Sequence, residues 1–227
     1  MLALKLGMSL VSSNKGGAGA WSPIDESSLI AWYQKGEGIT LNGSDVSQWA
    51  DSSTNSNDMV QATATEQPAY SNGVLTFNPS DKNNLETASH ITIEDEFTIG
   101  FKANLLGTNV VFLGSNSGAK NEFFKYQSTT RLSIRINGVT KQFDLASGEF
   151  SDDYIVITRD SSDLITVYKN GTAMVDTRTL AGTVDIDAIG VRETDLNPFN
   201  GTTEEIQFYS SESAALRANV TERLASL

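Results

Sequence analysis

Residues 131–145 read RLSIRINGVTKQFDL, two alternating runs joined by Asn137-Gly138. Leu132, Ile134 and Ile136 alternate with Ser133 and Arg135, the period-2 pattern of a half-buried strand. An Asn-Gly pair suits the two positive-φ positions of a type I′ turn, whose twist matches that of two antiparallel strands. The stretch predicts a β-hairpin. A second hairpin of the same design follows in DLITVYK-NG-TAMVDT, turning at Asn170-Gly171.

Working outward from the hairpins, the same alternation recurs between turn signals. It is seen in SLIAWY from Ser28, in DVSQWAD from Asp45, and in GVLTF from Gly73. DYIVITRD, VDIDAIGV and TEEIQFYS continue it toward the C-terminus. In FTIGFKA, Phe97, Ile99, Phe101 and Ala103 fall on one face and Thr98, Gly100 and Lys102 on the other. Many short strands with regular turns predict an all-β, antiparallel sandwich. One helix is expected, at the C-terminus, where Leu216, Val220 and Leu224 repeat every four residues with Leu227 close behind. Ser211 or Ser213 can cap its start, and Glu212 suits the positive end of its dipole.

The chain has 227 residues, 16 basic and 28 acidic, for a formal charge of −12. That balance argues against nucleic acid, whose phosphates demand clustered Lys and Arg. It also argues against anionic membranes, because there is no polybasic run, and no apolar stretch approaches the ~18 residues that span a bilayer. Without cysteine, disulfides and thiolate metal sites are excluded.

The residues Leu29–Phe77 carry a further pattern. An apolar-aromatic strand leads to V-x-x-W-x-D (Val46, Trp49, Asp51), then to a small-polar loop. Asn57-Asp58, the run QPAY and a strand ending in Phe77 complete it. This set, together with FNGTTEEIQFYSSESAALRANVTERLASL at the C-terminus, resembles concanavalin A-like, laminin-G-like jelly-roll domains. The resemblance implies an antiparallel β-sandwich jelly roll over residues 21–227, with a short C-terminal helix. One departure is that Asp51-Ser52-Ser53-Thr54 stands where the family usually has a Ser-Gly pair. The overall layout is similar to stand-alone laminin-G-like virion proteins of tailed phages of marine bacteria. That implies a tail, fibre or head-decoration component of a virion.

Candidate chemistry is sparse. Glu94, Asp95 and Glu96 lie together, and Glu94 and Glu96 would sit roughly 6.5–7 Å apart on one strand face, within reach of paired glycosidase carboxylates. Some enzymes of the resembled fold use spaced acids on a strand, whereas these are contiguous and directly precede FTIGFKA, which reads as a solvated lead-in. His90 is the sole histidine; it lacks the companions of a metal cluster, and no nucleophile elbow accompanies it, so a polar loop role is expected. The resemblance implies that Trp32 and Trp49, at core positions of the family, fill the sandwich, leaving Trp21 least committed. No catalytic residue and no metal site are assigned. The resemblance does imply a structural calcium at one rim, for which Asp51, Asp58, Asp185 and Asp187 are the candidates.

The N-terminus is different in kind. In MLALKLGMSL, Leu2, Leu4, Leu6, Met8 and Leu10 alternate with small or polar residues, and SSNKGGAGA (residues 12–20) follows as a flexible linker. Lys5 and Gly7 interrupt the apolar run, so a cleaved signal peptide is not expected despite the small Ala18-Gly19-Ala20. Burying the five apolar side chains is worth ~1.5–3 kcal/mol each, and ordering the segment costs ~1–2 kcal/mol per residue. The two nearly cancel. An ordered arm therefore needs main-chain pairing, either as an edge strand of its own sandwich or by docking on another chain. The docking reading makes residues 1–20 an arm and linker whose partners are other virion proteins or copies of itself. The expected function is then a non-enzymatic, virion-located structural protein, homo-oligomeric, whose jelly roll serves adhesion to host-surface glycans, particle stability, or both. The alternative is a secreted bacterial lectin or carbohydrate-binding module.

Overall fold

A computed structural model describes residues 21–117, 122–145, 152–193 and 195–227. The N-terminal arm, with Leu2, Leu4, Leu6, Met8 and Leu10, lies outside the described residues. The first strands are β1 (Leu29–Tyr33), β2 (Ile39–Asn42), β3 (Asp45–Trp49), β4 (Met59–Val60), β5 (Ala69–Ser71) and β6 (Val74–Phe77). Long strands β7 (Leu85–Ile93) and β8 (Phe97–Leu105) follow, then β9 (Val110–Gly114), β10 (Glu122–Ser128), β11 (Arg131–Ile136) and β12 (Val139–Asp144). The last strands are β13 (Asp153–Arg159), β14 (Leu164–Lys169), β15 (Thr172–Thr179), β16 (Val184–Ile189) and β17 (Gly201–Tyr209), before helix α1 (Ala214–Ala225). No helix among the described residues is long and apolar enough to cross a membrane.

Every strand pairing is antiparallel, and the pairings trace two layers. The first runs β1-β17-β8-β13-β14-β15, and the second runs β3-β4-β7-β16-β9-β10-β11-β12. Beside β1, strand β6 pairs with the start of β17 and hands the bonding to β5 and thence β3, so hydrogen bonding passes from one layer to the other. Between the layers the predicted face of β8 meets β9 and β10. Phe101 stands 4.7 Å from Phe112 and 5.1 Å from Phe124, ring centroid to centroid, and Phe97 stands 5.8 Å from Phe123. These tilted and edge-on contacts suit the aromatic quadrupole. Both Asn-Gly hairpins form as the sequence predicts, with Asn137, Gly138, Asn170 and Gly171 all at positive φ.

The other face of β8 is buried as well, beneath α1. Leu216, Val220 and Leu224 pack there against Val156 and Tyr209, with Trp21, Leu29 and Leu227 at the margin. Gly100 makes this approach feasible, because a Cβ there would lie 2.4 Å from Val220 Cγ1. Ser213 caps the helix, accepting from Leu216 N at 3.0 Å.

Two expectations need correction. Trp49 fills the sandwich, but Trp32, though buried, sits on the outer face of the first sheet. Its indole donates to the buried carboxylate of Glu205 at 3.0 Å, and Arg223 of α1 both lies over the Trp32 ring and grips Glu205 with two hydrogen bonds. The helix gives this face of β1 a partner that strand alternation alone does not reveal. His90 lies in strand β7 rather than in a loop, exposed like Thr92 on the face opposite the buried Ile91 and Ile93.

Candidate functional site

The V-x-x-W-x-D segment has a structural task that shapes the site beside it. Asp51 Oδ1 accepts from Trp32 N at 2.9 Å and Ser53 N at 2.8 Å, while Oδ2 accepts from Ser53 Oγ at 2.7 Å and Asn57 N at 3.0 Å. Asp58 accepts from Asp51 N at 2.9 Å and from Gln48 Nε2 at 3.0 Å. Asn55 and Asn57 donate to the carbonyls of Leu29 and Ile30, and Ser52 N donates to Trp32 O. The loop thus satisfies the outer edge of β1, which would otherwise present unpaired backbone groups. The phenol of Tyr33 is pushed well up by burial and by the charges of Asp51 and Asp58.

This rigid loop forms one wall of an open cleft of about 290 Å³. Ser56, Asn57, Asp58 and Val60 line that wall, and Glu86, Thr87, Ala88 and Ser89 of β7 line the other. A register shift between β7 and β16 falls beside this wall, as bulges often do beside sites. Hydroxyls, an amide and two carboxylates therefore converge around one exposed aliphatic patch at Val60, 45% exposed.

Glu86 connects the cleft to a polar cluster behind it. Asn116 Nδ2 donates to Glu86 Oε1 at 2.6 Å and to Asp195 Oδ1 at 3.3 Å. Asn116 N and Ser117 N donate to the buried Asp187 carboxylate at 2.6 and 3.2 Å, and Ser117 Oγ also donates to it. Burial raises the Glu86 carboxyl above the usual range, and the charges of Asp187, Asp195 and Glu66 add to this against the Asn116 hydrogen bond.

His90 belongs to the same cluster. Its Nε2 lies 3.2 Å from Asp187 Oδ2, 3.0 Å from Ser115 Oγ and 3.4 Å from Ser117 Oγ. A Ser-His-Asp relay needs serine on one ring nitrogen and the acid on the other. Here serine and aspartate crowd a single nitrogen. The group is an anchor for the turn after β9, not a nucleophile pair.

The other candidates are spread apart. Glu94, Asp95 and Glu96 form the turn between β7 and β8. The fully buried Arg159 holds this turn by its backbone, donating from Nε to Asp95 O at 2.8 Å and from a terminal nitrogen to Glu94 O at 2.6 Å, with its cation over the Phe97 ring. Asp185 accepts from Thr92 Oγ1 at 3.0 Å. Asp51 accepts from four N–H and O–H donors and Asp187 from three, an arrangement that does not fit a cation. Among the described residues no group of three or more His, Asp or Glu side chains is placed to hold a metal ion. Glu86, Asn116 and Ser117 were not singled out by the sequence, because no motif links residues so far apart in the chain.

No family model matches the sequence, and no curated protein sequence matches it. Solved structures share its fold. The binding domain of Paraclostridial Mosquitocidal Protein 1 aligns with a TM-score of 0.57 at 13% identity, covering 90% of this chain and 53% of that one. Trypanosoma rangeli sialidase in complex with sialic acid aligns with a TM-score of 0.58 at 14% identity, covering 89% and 33%. The binding domain of botulinum neurotoxin DC in complex with SialylT gives 0.54 at 13% identity, covering 89% and 52%. The chain spans about half the length of the toxin binding domains and a third of the sialidase. At such identities the likeness is one of fold alone, an all-β antiparallel sandwich.

Proposed function

We propose that this chain is a non-enzymatic glycan-adhesion module, displayed on a tailed-phage virion by its N-terminal arm. The observation that carries the adhesion reading is the cleft between the Ser56–Val60 segment and Glu86–Ser89. It offers hydroxyls, an amide and carboxylates on rigid backbone beside one aliphatic patch, the mixture that sugar hydroxyls and ring C–H groups call for. Two of the structures that share the fold hold sialic acid or SialylT, which supports a sugar as the ligand class. A non-enzymatic role is supported by the crowding of serine and aspartate on one nitrogen of His90. The virion reading rests on the alternating arm Leu2, Leu4, Leu6, Met8 and Leu10, which needs a partner to be worth ordering.

Ala88 is exposed on the cleft wall, so Ala88→Trp fills the cleft without entering the core. The full chain should bind a glycan surface, and Ala88→Trp should lose that binding with its melting temperature unchanged. Binding that survives the substitution would place adhesion elsewhere. Quantitative mass spectrometry of purified particles should find the chain at fixed stoichiometry, whereas a secreted lectin would be found in the medium and not in particles.

A further inference from the structure

Resting on the adhesion reading, we infer that the cleft selects uncharged, hydroxyl-rich glycans and rejects sialylated ones. Among the described residues, both charged residues that line it, Asp58 and Glu86, are acidic, and no Lys or Arg lines either wall. Behind Asp58 stands Asp51, whose backbone N–H is bonded to it, and behind Glu86 stand Asp187 and Asp195, joined to it through Asn116. Two nearby side chains of the described residues are already engaged. Lys82 Nζ lies 3.9 Å from Asp195, and His90 contacts Asp187. Burial raises the Glu86 carboxyl, and the charges of Asp187, Asp195 and Glu66 add to that shift.

A neutral sugar meets this surface as a donor. Its hydroxyls give charge-assisted hydrogen bonds to the carboxylates, which are stronger than neutral ones, while ring C–H groups lie on Val60. A sialylated glycan brings a carboxylate of its own into a site of the same sign, on a chain of charge −12. Like charges brought together act against the wrong partner.

The test applies the full chain to an array of neutral oligosaccharides, each paired with its sialylated counterpart. At about 0.01 M salt, where charges act over roughly 30 Å, the sialylated member of each bound pair should bind roughly tenfold or more weakly. Raising salt to about 0.15 M, where the range falls to roughly 8 Å, should narrow the gap. Val60→Lys places a cation on the exposed wall and should narrow it further, as should Glu86→Gln, which keeps an acceptor for Asn116. Equal or better binding of sialylated members, or a gap indifferent to salt and to both substitutions, overturns the inference and leaves the adhesion reading standing. Binding to no glycan on the array overturns both.

Discussion

Glu86 is the residue on which the site turns. It is half-buried, it lines the cleft, and it reaches Asn116. Its carboxyl is raised in the folded protein, so the fold holds a proton that the unfolded chain releases near pH ~4.3. The sign follows from linkage. Between the unfolded and the folded pKa the native state binds more protons, so stability falls as pH rises through that window. Glu86→Gln removes the group that must ionise. It should raise the melting temperature at pH 7, and the gain should vanish toward pH 4. Solvent screening of a half-exposed group limits the effect to below about 1 kcal/mol, under about 4 °C for a chain of this size. Calorimetry of both proteins across pH 4–8 checks both sign and window.

At the scale of elements, two joints carry the architecture. The first is α1 on β8, where Gly100 lets Val220 and Leu224 approach the strand. Gly100→Ala forces the helix outward and should cost about 1–3 kcal/mol, as overpacking does. Trimming the facing side chain in Gly100→Ala/Val220→Ala should return at least about 0.5 kcal/mol as a coupling energy in urea unfolding. The second joint is the loop after β3, which seals the edge of β1. Asp51→Ala strands the amides of Trp32 and Asn57 and should cost about 2–3 kcal/mol. It should also speed hydrogen exchange at the Trp32 amide and promote aggregation on heating, because an opened edge templates pairing. The motif that signals the fold in the sequence is therefore a closure device, and the cleft uses its rigidity.

For the whole molecule, the question is what the N-terminal arm holds. The described residues form two packed layers with a covering helix, and their core is continuous from β1 to β17. If the arm docks on another chain, removing residues 1–12 should shift the melting temperature by less than about 2 °C and abolish assembly in size-exclusion chromatography or in reconstituted particles. A loss of several degrees with assembly intact would instead make the arm an edge strand of its own sandwich.

How much the sequence disclosed depended on how local the information was. The hairpins at Asn137-Gly138 and Asn170-Gly171, the inward face of β8 and the Leu216-Val220-Leu224 stripe were legible, because turn chemistry and periodicity act within a few residues. Strands β9 and β10 were less so. VVFLG is buried throughout and lacks alternation, and a strand covered on both faces loses the pattern that marks a half-buried one. The resemblance implies sandwich core for Trp32, whereas α1 and Glu205 supply a buried partner on the opposite face. The cleft was not legible at all. Glu86 and Asn116 are 30 residues apart, and Asn116 and Asp187 are 71 apart. By itself the sequence determined the alternating strands, their turns and the terminal helix, since those are set by backbone preference and side-chain period. Only the tertiary structure decided which loops meet, because packing two sheets brings together residues whose spacing along the chain carries no signal.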